Sequence, residues 1–452
     1  MSIAPNQTQP INVFIPEDFN LEQAVEEQYW KYADCIKWLL GTIYFHKLMR
    51  FSHDRRAKNP LVNLKKAYLD KLLPCRKVLT PIIQDLERRG AITCDHRAIE
   101  GQKCFSYGLG PLFSQRFKMD RITNKALIKN LHKWQEQEEM KLSDQQKQLK
   151  AYLLEMEIDT NNALKSVEGN KDYDLFKNQI LAIHNKSIFF CQDDFGRVHS
   201  NLTNLLTELR SFITVYNKHL AEIDISNSQP LFLSMIISNP NLYNTDFQEF
   251  QLNQLFSGKF PPPPFPPFTI NLFEKFKEHC ESGQIYEEIA KEANKTRDWV
   301  KHKVLRVIYC NHKLWEIEKV RQNEPEIALV MRTMERMYPE VMKWIEKAKE
   351  KNYAFLAQNM QRMEAYYIFK RVCRRIINDY PNIWIATIHD SICCLTEDVP
   401  LVKMIMEQEL ACLNTKAVLK VKLPVEAPAI DLRPSIVAVG KSSTNSIEAN
   451  SV

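Results

Sequence analysis

Ile383-Trp384-Ile385-Ala386-Thr387-Ile388-His389-Asp390-Ser391-Ile392-Cys393-Cys394-Leu395 sets two short runs of β-branched and apolar residues around a polar His-Asp-Ser step. That is the pattern of a buried strand, a tight turn and a second strand, with Asp390 at the tip of the hairpin. An ionised carboxylate is costly beside so much apolar surface unless water, a cation or a metal meets it. Asp390 is therefore a candidate for chemistry, although a lone His-Asp step at a turn is equally compatible with a purely structural role.

The surrounding chain of 452 residues is long enough to bury a sizeable core in two or three domains. Only 10 residues are glycine and long charged-apolar periodic segments dominate, so the expected fold is mainly α with a small antiparallel sheet, an α+β class. No run of 18 apolar residues occurs, and Met1–Pro16 lacks the basic and apolar parts of a signal peptide. No membrane association and a cytoplasmic location are expected. The 11 cysteines include no Cys-x-x-Cys pair, which argues against a disulfide framework and against a zinc site. The net charge of +6 is unevenly distributed: Lys47 to Asp120 holds 16 Lys and Arg against 7 Asp and Glu. That asymmetry calls for a polyanionic partner at the N-terminal part.

In chain order, residues 1–20 are expected to be a flexible leader. Residues 21–121 run as helix, helix, turn at Pro74, helix from about Arg76 to Arg89 stopped by Gly90, and two short strands at Ala91–Cys94 and Lys103–Tyr107. This is the order of a winged helix, in which Arg76, Lys77, Arg88 and Arg89 would lie against a duplex; a small packing module with solvated basic residues fits as well. Residues 122–186 are expected to form a charged antiparallel helical arm with an intermittent seam through Leu149, Leu153, Leu154 and Met156. Strand-like ends mark 187–237, helices fill most of 238–380 beyond the stiff connector Phe260–Phe268, residues 381–432 hold the hairpin, a helix and a strand, and 433–452 should be disordered.

Three upstream stretches stand with the His389-Asp390-Ser391 step: Asp194-Phe195-Gly196-Arg197-Val198-His199-Ser200, Ile223-Asp224-Ile225-Ser226-Asn227-Ser228-Gln229-Pro230, and Arg297-x3-Lys301-x7-Tyr309. The third places an arginine, a lysine and a tyrosine toward one helical face, a basic stripe suited to a nucleotide. In order and separation, these stretches resemble the motifs of family A DNA polymerases and of their relatives, the single-subunit phage and mitochondrial RNA polymerases, over roughly residues 190–430.

The resemblance implies a right-hand polymerase core: palm at 187–237 and 381–432, fingers at 238–380, and the arm 122–186 as thumb, with the winged-helix-like module added in front. It implies that Asp224 and Asp390 hold two Mg²⁺ ions, that Arg197 and His389 meet the primer-template, and that Gln229 stands where the family carries a sugar-screening glutamate. It further implies that Arg297 and Lys301 hold the triphosphate, with Lys301 able to protonate the departing pyrophosphate, while Tyr309 stacks near the base and sugar. A looser match at Gln361-x2-Glu364 implies a template contact at Gln361. Cys310 follows the tyrosine where glycine is usual, and Leu305 stands where an aromatic is common.

The partners so implied are a DNA primer-template and nucleoside triphosphates, and the activity a DNA-directed DNA polymerase, as of a plasmid, phage or other mobile element. No acidic exonuclease motif precedes residue 190, so proofreading is not expected. Two other readings stand beside it: a non-catalytic DNA-binding replication or regulatory protein on a polymerase-like core, and an RNA polymerase, which Ser391 and the uncharged Gln229 favour.

Overall fold

The computed structural model describes residues 10–51, 61–97, 104–114, 116–170, 172–193, 195–238, 270–310, 322–349 and 353–423. The connector Phe260–Phe268, residues 1–9 and the tail from 424 onward lie outside the described residues. The fold is mainly helical with small antiparallel sheets, the class expected.

Two cores organise the chain, and the first gathers its N-terminal third. Strand β1 (Ile11–Pro16) pairs antiparallel with a strand a hundred residues later, Phe117–Ile122, so residues 11–16 correct the expectation of a flexible leader through residue 20. The alternation Ile11, Val13, Ile15 fits a strand, but its partner is too distant for local composition to reveal. Between the two lie α1 (Leu21–Ala24), a 3-10 turn (Glu27–Tyr32), α2 (Ala33–Phe51), β2 (Val62–Asn63), α3 (Lys66–Leu72), α4 (Leu79–Arg88), β3 (Ile92–Cys94) and β4 (Ser106–Leu109). Sheet order is β2-β4-β3. Helix α4 buries Leu79, Ile82 and Leu86 along one stripe, and Gly90, at φ 77, turns the chain into β3. The Phe117–Ile122 strand is β5. Helix α5 (Lys125–Lys141) adds Leu127, Ile128 and Leu131 to this same core, which moves the boundary from residue 121 to the turn after Lys141.

That turn is chemically marked. Ser143 accepts from the Gln146 amide while the Gln146 side chain accepts from the Ser143 amide, a reciprocal cap that starts α6 (Asp144–Glu155). From α6 onward one large core runs to Leu419. Helix α6, the two-residue strand β6 (Glu157–Ile158), α7 (Thr160–Ser166) and α8 (Tyr173–His184) are not the independent two-helix arm expected of this stretch. Leu149, Tyr152 and Leu153 are buried in the same core as the hairpin, and Trp384 Nε1 donates to the Tyr152 carbonyl at 2.8 Å. Of the expected seam, Leu149 and Leu153 are helical and buried, whereas Leu154 is 45% exposed and Met156 ends the helix in an extended conformation; what the seam docks against is 230 residues away.

The hairpin β7 (Phe190–Gln192) and β8 (Val198–Ser200), helix α9 (Asn201–Asn204), β9 (Ile213–Val215), β10 (Lys218–Ile225) and the largely buried α10 (Ser228–Ser238) follow. Helices α11 (Ile270–Glu281), α12 (Ile285–Ala293), α13 (Arg297–Tyr309), α14 (Pro325–Met337) and α15 (Pro339–Lys349) pack in succession. Then α16 (Tyr353–Ala365) continues through a π-helical stretch, Tyr366–Cys373, into α17 (Arg374–Asp379). The opening stretch forms β11 (Ile385–Ile388) and β12 (Ser391–Leu395), as expected, and α18 (Val399–Ala411) and β13 (Leu419–Lys422) complete the described chain. The main sheet runs β11-β12-β10-β9-β6, all antiparallel, with β13 also on β10. Asp224 thereby lies opposite Ser391 on one neighbouring strand and Lys420 on the other. Among the described residues no helix is long and apolar enough to cross a membrane.

Trp384 ties the hairpin to α6, and this gives a first prediction. Trp384→Phe keeps most of the buried ring but leaves the buried Tyr152 carbonyl without its donor, so urea unfolding should show a loss of about 2 kcal/mol. An unchanged midpoint would mean that the hydrogen bond does not anchor the hairpin.

Candidate active site

Strand period sets the first carboxylate. Along β10, Ala221, Ile223 and Ile225 are buried in the core, so Glu222 and Asp224 fall on the opposite, more open side. After two intervening residues α10 begins with Ser228, Gln229 and Pro230, and the buried Leu231–Ile237 behind them anchors this first turn, from which Ser228 reaches Asp390.

The second carboxylate sits in the two-residue turn between β11 and β12. His389 there has φ 52, an uncommon conformation for a side-chain-bearing residue and a frequent mark of a functional turn. Ser391 closes the turn: its hydroxyl donates to the Ile388 carbonyl at 2.9 Å and it is 1% exposed. Burial raises the Asp390 carboxyl above the ordinary carboxylate range, and the negative charge of Asp224 raises it further, against a hydrogen bond from Ser228.

Around Asp390 opens a cleft of about 360 Å³ lined by Arg197, His199, Ser228, Gln229, Glu364, His389 and Asp390. Its wall is one connected network. Tyr309 donates its hydroxyl to the Gln229 amide oxygen, Gln229 donates its amide nitrogen to Glu364, and Arg197 Nη2 lies 2.8 Å from the same Glu364 oxygen. Glu364 is 1% exposed; burial pushes its carboxyl up to about 7, against the pull of the Arg197 guanidinium. The other Glu364 oxygen has no hydrogen-bond partner among the described residues.

Arg197 is delivered by a tight loop. Asp193 accepts from the amides of Phe195 and Arg197, both at 2.9 Å, and its second oxygen meets His199 Nε2 at 3.0 Å. Gly196, at φ 86, lets this loop approach α16: a Cβ there would lie 3.3 Å from that of Ala365.

Helix α13 has the bounds of its motif, capped by Thr296. Its three motif residues do not share one face, however. Twelve residues at about 100° each leave Tyr309 roughly 120° round the helix from Arg297. Tyr309 turns into the network, Lys301 is exposed, and Arg297 pairs with Glu287 at 2.6 Å and lies over the Tyr286 ring. Neither Arg297 nor Lys301 lines the cleft. Lys349, 4% exposed, donates to the Cys310 carbonyl at 2.7 Å and fixes the Tyr309 end of the helix.

Of the sequence-derived residues, the structure thus brings Asp224, Asp390, Gln229, Tyr309, Arg197 and His389 together. Gln361 stays off the cleft, and Glu364, one turn further along α16, reaches it instead; the i,i+3 pair carried that signal. His199 and Ser228 were passed over inside motifs already singled out. In the N-terminal body Arg76 and Lys77 are exposed, whereas Arg88 and Arg89 both pair with Asp85, and Arg88 also with Glu26.

Asp224 and Asp390 are oxygen donors of the kind that a divalent cation takes. Asp224 lies opposite Ser391, the residue after Asp390, and its charge acts on the desolvated Asp390 carboxyl; among the described residues no group of three His, Cys, Asp or Glu side chains that could hold a metal forms. Mg²⁺ suits such a site, since it is held by one or two carboxylates together with substrate phosphates.

No family model matches the chain, and no curated protein does. Among solved structures it is similar to the POL domain of Pol1 from M. smegmatis, in complex with DNA primer-template and dNTP, at 14% identity and a TM-score of 0.25, over 57% of this chain. It spans about half of that chain, 54%. A superposition that loose does not establish a shared fold, so the cleft is interpreted from its own residues.

Proposed function

We propose that this chain is a template-directed nucleotidyltransferase, a DNA polymerase without proofreading that extends a primer 3′-hydroxyl. One observation carries the proposal: residues from stretches spread over nearly 200 positions converge, with Arg197, Gln229 and Asp390 lining a single cleft, Tyr309 hydrogen-bonded to Gln229, and Asp224 on the strand opposite Ser391, close enough for its charge to act on Asp390. Asp224 and Asp390 would hold two Mg²⁺ ions, which activate the attacking oxygen and neutralise charge on the triphosphate when bound.

The chain's own groups do the positioning. Arg197 holds Glu364, Glu364 holds the Gln229 amide, and Gln229 holds the Tyr309 hydroxyl, so the wall facing the incoming sugar is fixed before a nucleotide enters. Lys301 lies eight residues before Tyr309, about 12 Å along the helix, and with Arg297 it would meet the triphosphate as the helix closes. Lys301 is the candidate proton donor to pyrophosphate.

Primed template, Mg²⁺ and either dNTPs or rNTPs test this directly. Extension with dNTPs is expected; DNA binding without incorporation from either set would favour the non-catalytic reading, and extension with rNTPs alone an RNA polymerase.

The helix, strand, helix, helix, strand, strand order of the N-terminal body, with β4 central, supports a duplex-binding winged helix as part of the same proposal. Because Arg88 and Arg89 are held by Asp85, the exposed Arg76 and Lys77 before α4 are its main phosphate contacts. In the full-length chain, replacing both by alanine should reduce the slope of log affinity against log salt by about 2, one counterion per lost contact. An unaltered slope would remove these two residues from the interface.

A further inference from the structure

Strand β13 brings a lysine onto the open side of the carboxylate pair. Lys422 Nζ lies 2.7 Å from Glu222 Oε1 and 3.3 Å from Asp224 Oδ2, and Arg210 Nη1 lies 3.2 Å from the other Glu222 oxygen. The two carboxylates are i and i+2 on β10, hence on one face, and Lys422 stands directly opposite Glu222 in the register. Glu222 is 14% exposed and Asp224 26%, while Lys422 is 53% exposed at the sheet edge.

These distances differ in a way that matters. The shorter contact is to Glu222, which Arg210 also holds; the longer one is to Asp224, a proposed cation ligand. A flexible, half-exposed ammonium with a nearer second anchor can withdraw from Asp224 without losing its ion pair.

We propose that Lys422 is the resident counter-ion of Asp224, a positioning residue that occupies the outer carboxylate oxygen until a divalent cation displaces it toward Glu222, and that it thereby sets the cation affinity of the site. The inference rests on Asp224 and Asp390 being a divalent-cation site. A positive charge 3.3 Å from a ligand oxygen must be moved or tolerated by any cation that binds there, so the lysine weakens cation binding and keeps Asp224 in place when no cation is bound.

Mn²⁺ binding to the full-length protein, read from the loss of the free-ion EPR signal without nucleotide or DNA, tests this apart from activity. Lys422→Met and Lys422→Gln should each tighten Mn²⁺ binding by about 3- to 10-fold, the scale of removing one partly exposed charge beside a doubly charged ion. Lys422→Arg, which keeps the charge, should stay within about 2-fold of the parent on the same scale. Asp390→Asn should abolish the binding. If the parent binds Mn²⁺ in an Asp390-dependent way and the neutral variants do not tighten it, the role of Lys422 is overturned and the site stands. If the parent binds no Mn²⁺, the carboxylate site falls, and the inference with it.

Discussion

Asp390→Asn should lower nucleotide incorporation by about 10³-fold or more while leaving the folded chain at least as stable as the parent. The activity loss follows from the proposed role. A carboxylate that holds a cation against a transferring phosphoryl group contributes several kcal/mol in the transition state, and each 1.36 kcal/mol is a factor of ten. The stability result has the opposite sign. Burial and the charge of Asp224 both act against ionised Asp390, so a neutral amide of the same shape relieves a cost that the metal-free protein carries. Incorporation kinetics and thermal melting at pH 7.5 in chelator read the two effects separately. A variant that melts well below the parent would make Asp390 a structural residue of the turn.

Arg197→Met is the second large effect, and it depends on pH. The guanidinium is the cationic partner of Glu364, 2.8 Å away, and removing one member of a buried pair typically costs about 3 kcal/mol. Glu364 can escape part of that cost by taking a proton. Its folded pKa of about 7 lies above the ordinary 4.5, so its contribution to stability is fully present below about pH 4.5 and lost as pH rises through about 7. Without Arg197 the folded pKa moves higher still, and the decline continues past the pH at which the parent levels off. Urea unfolding between pH 5 and 9 should therefore show a gap between variant and parent that is small at pH 5 and largest at pH 9. A gap independent of pH would assign the loss to packing rather than to the ion pair.

The parts of the fold carried by local periodicity were legible in the sequence. The hairpin at 385–395 follows from two apolar runs about a polar step, and α13 has the bounds of the Arg297-x3-Lys301-x7-Tyr309 spacing. What stayed hidden depends on contacts between distant residues. The alternation of β1 fits a strand but does not reveal its partner near residue 120, and the seam of α6 gives no sign that it will receive Trp384. In the site, Asp390 stood out as a carboxylate beside apolar runs and Asp224 through the motif it resembles, whereas Glu364 was legible only as one end of the Gln361-x2-Glu364 pair, and which end reaches the cleft depends on burial within the helix. Arg88 and Arg89 are a different case. Asp85 precedes them by three and four residues, the spacing at which side chains meet on a helix, so their pairing could have been anticipated from the sequence.

Single-nucleotide incorporation tests the central claim most directly: a primed template with one defined templating base, Mg²⁺, and each of the four dNTPs supplied alone. Addition of only the complementary nucleotide is expected, lost in both Asp224→Asn and Asp390→Asn. Addition that ignores the templating base, or that survives either substitution, would contradict it.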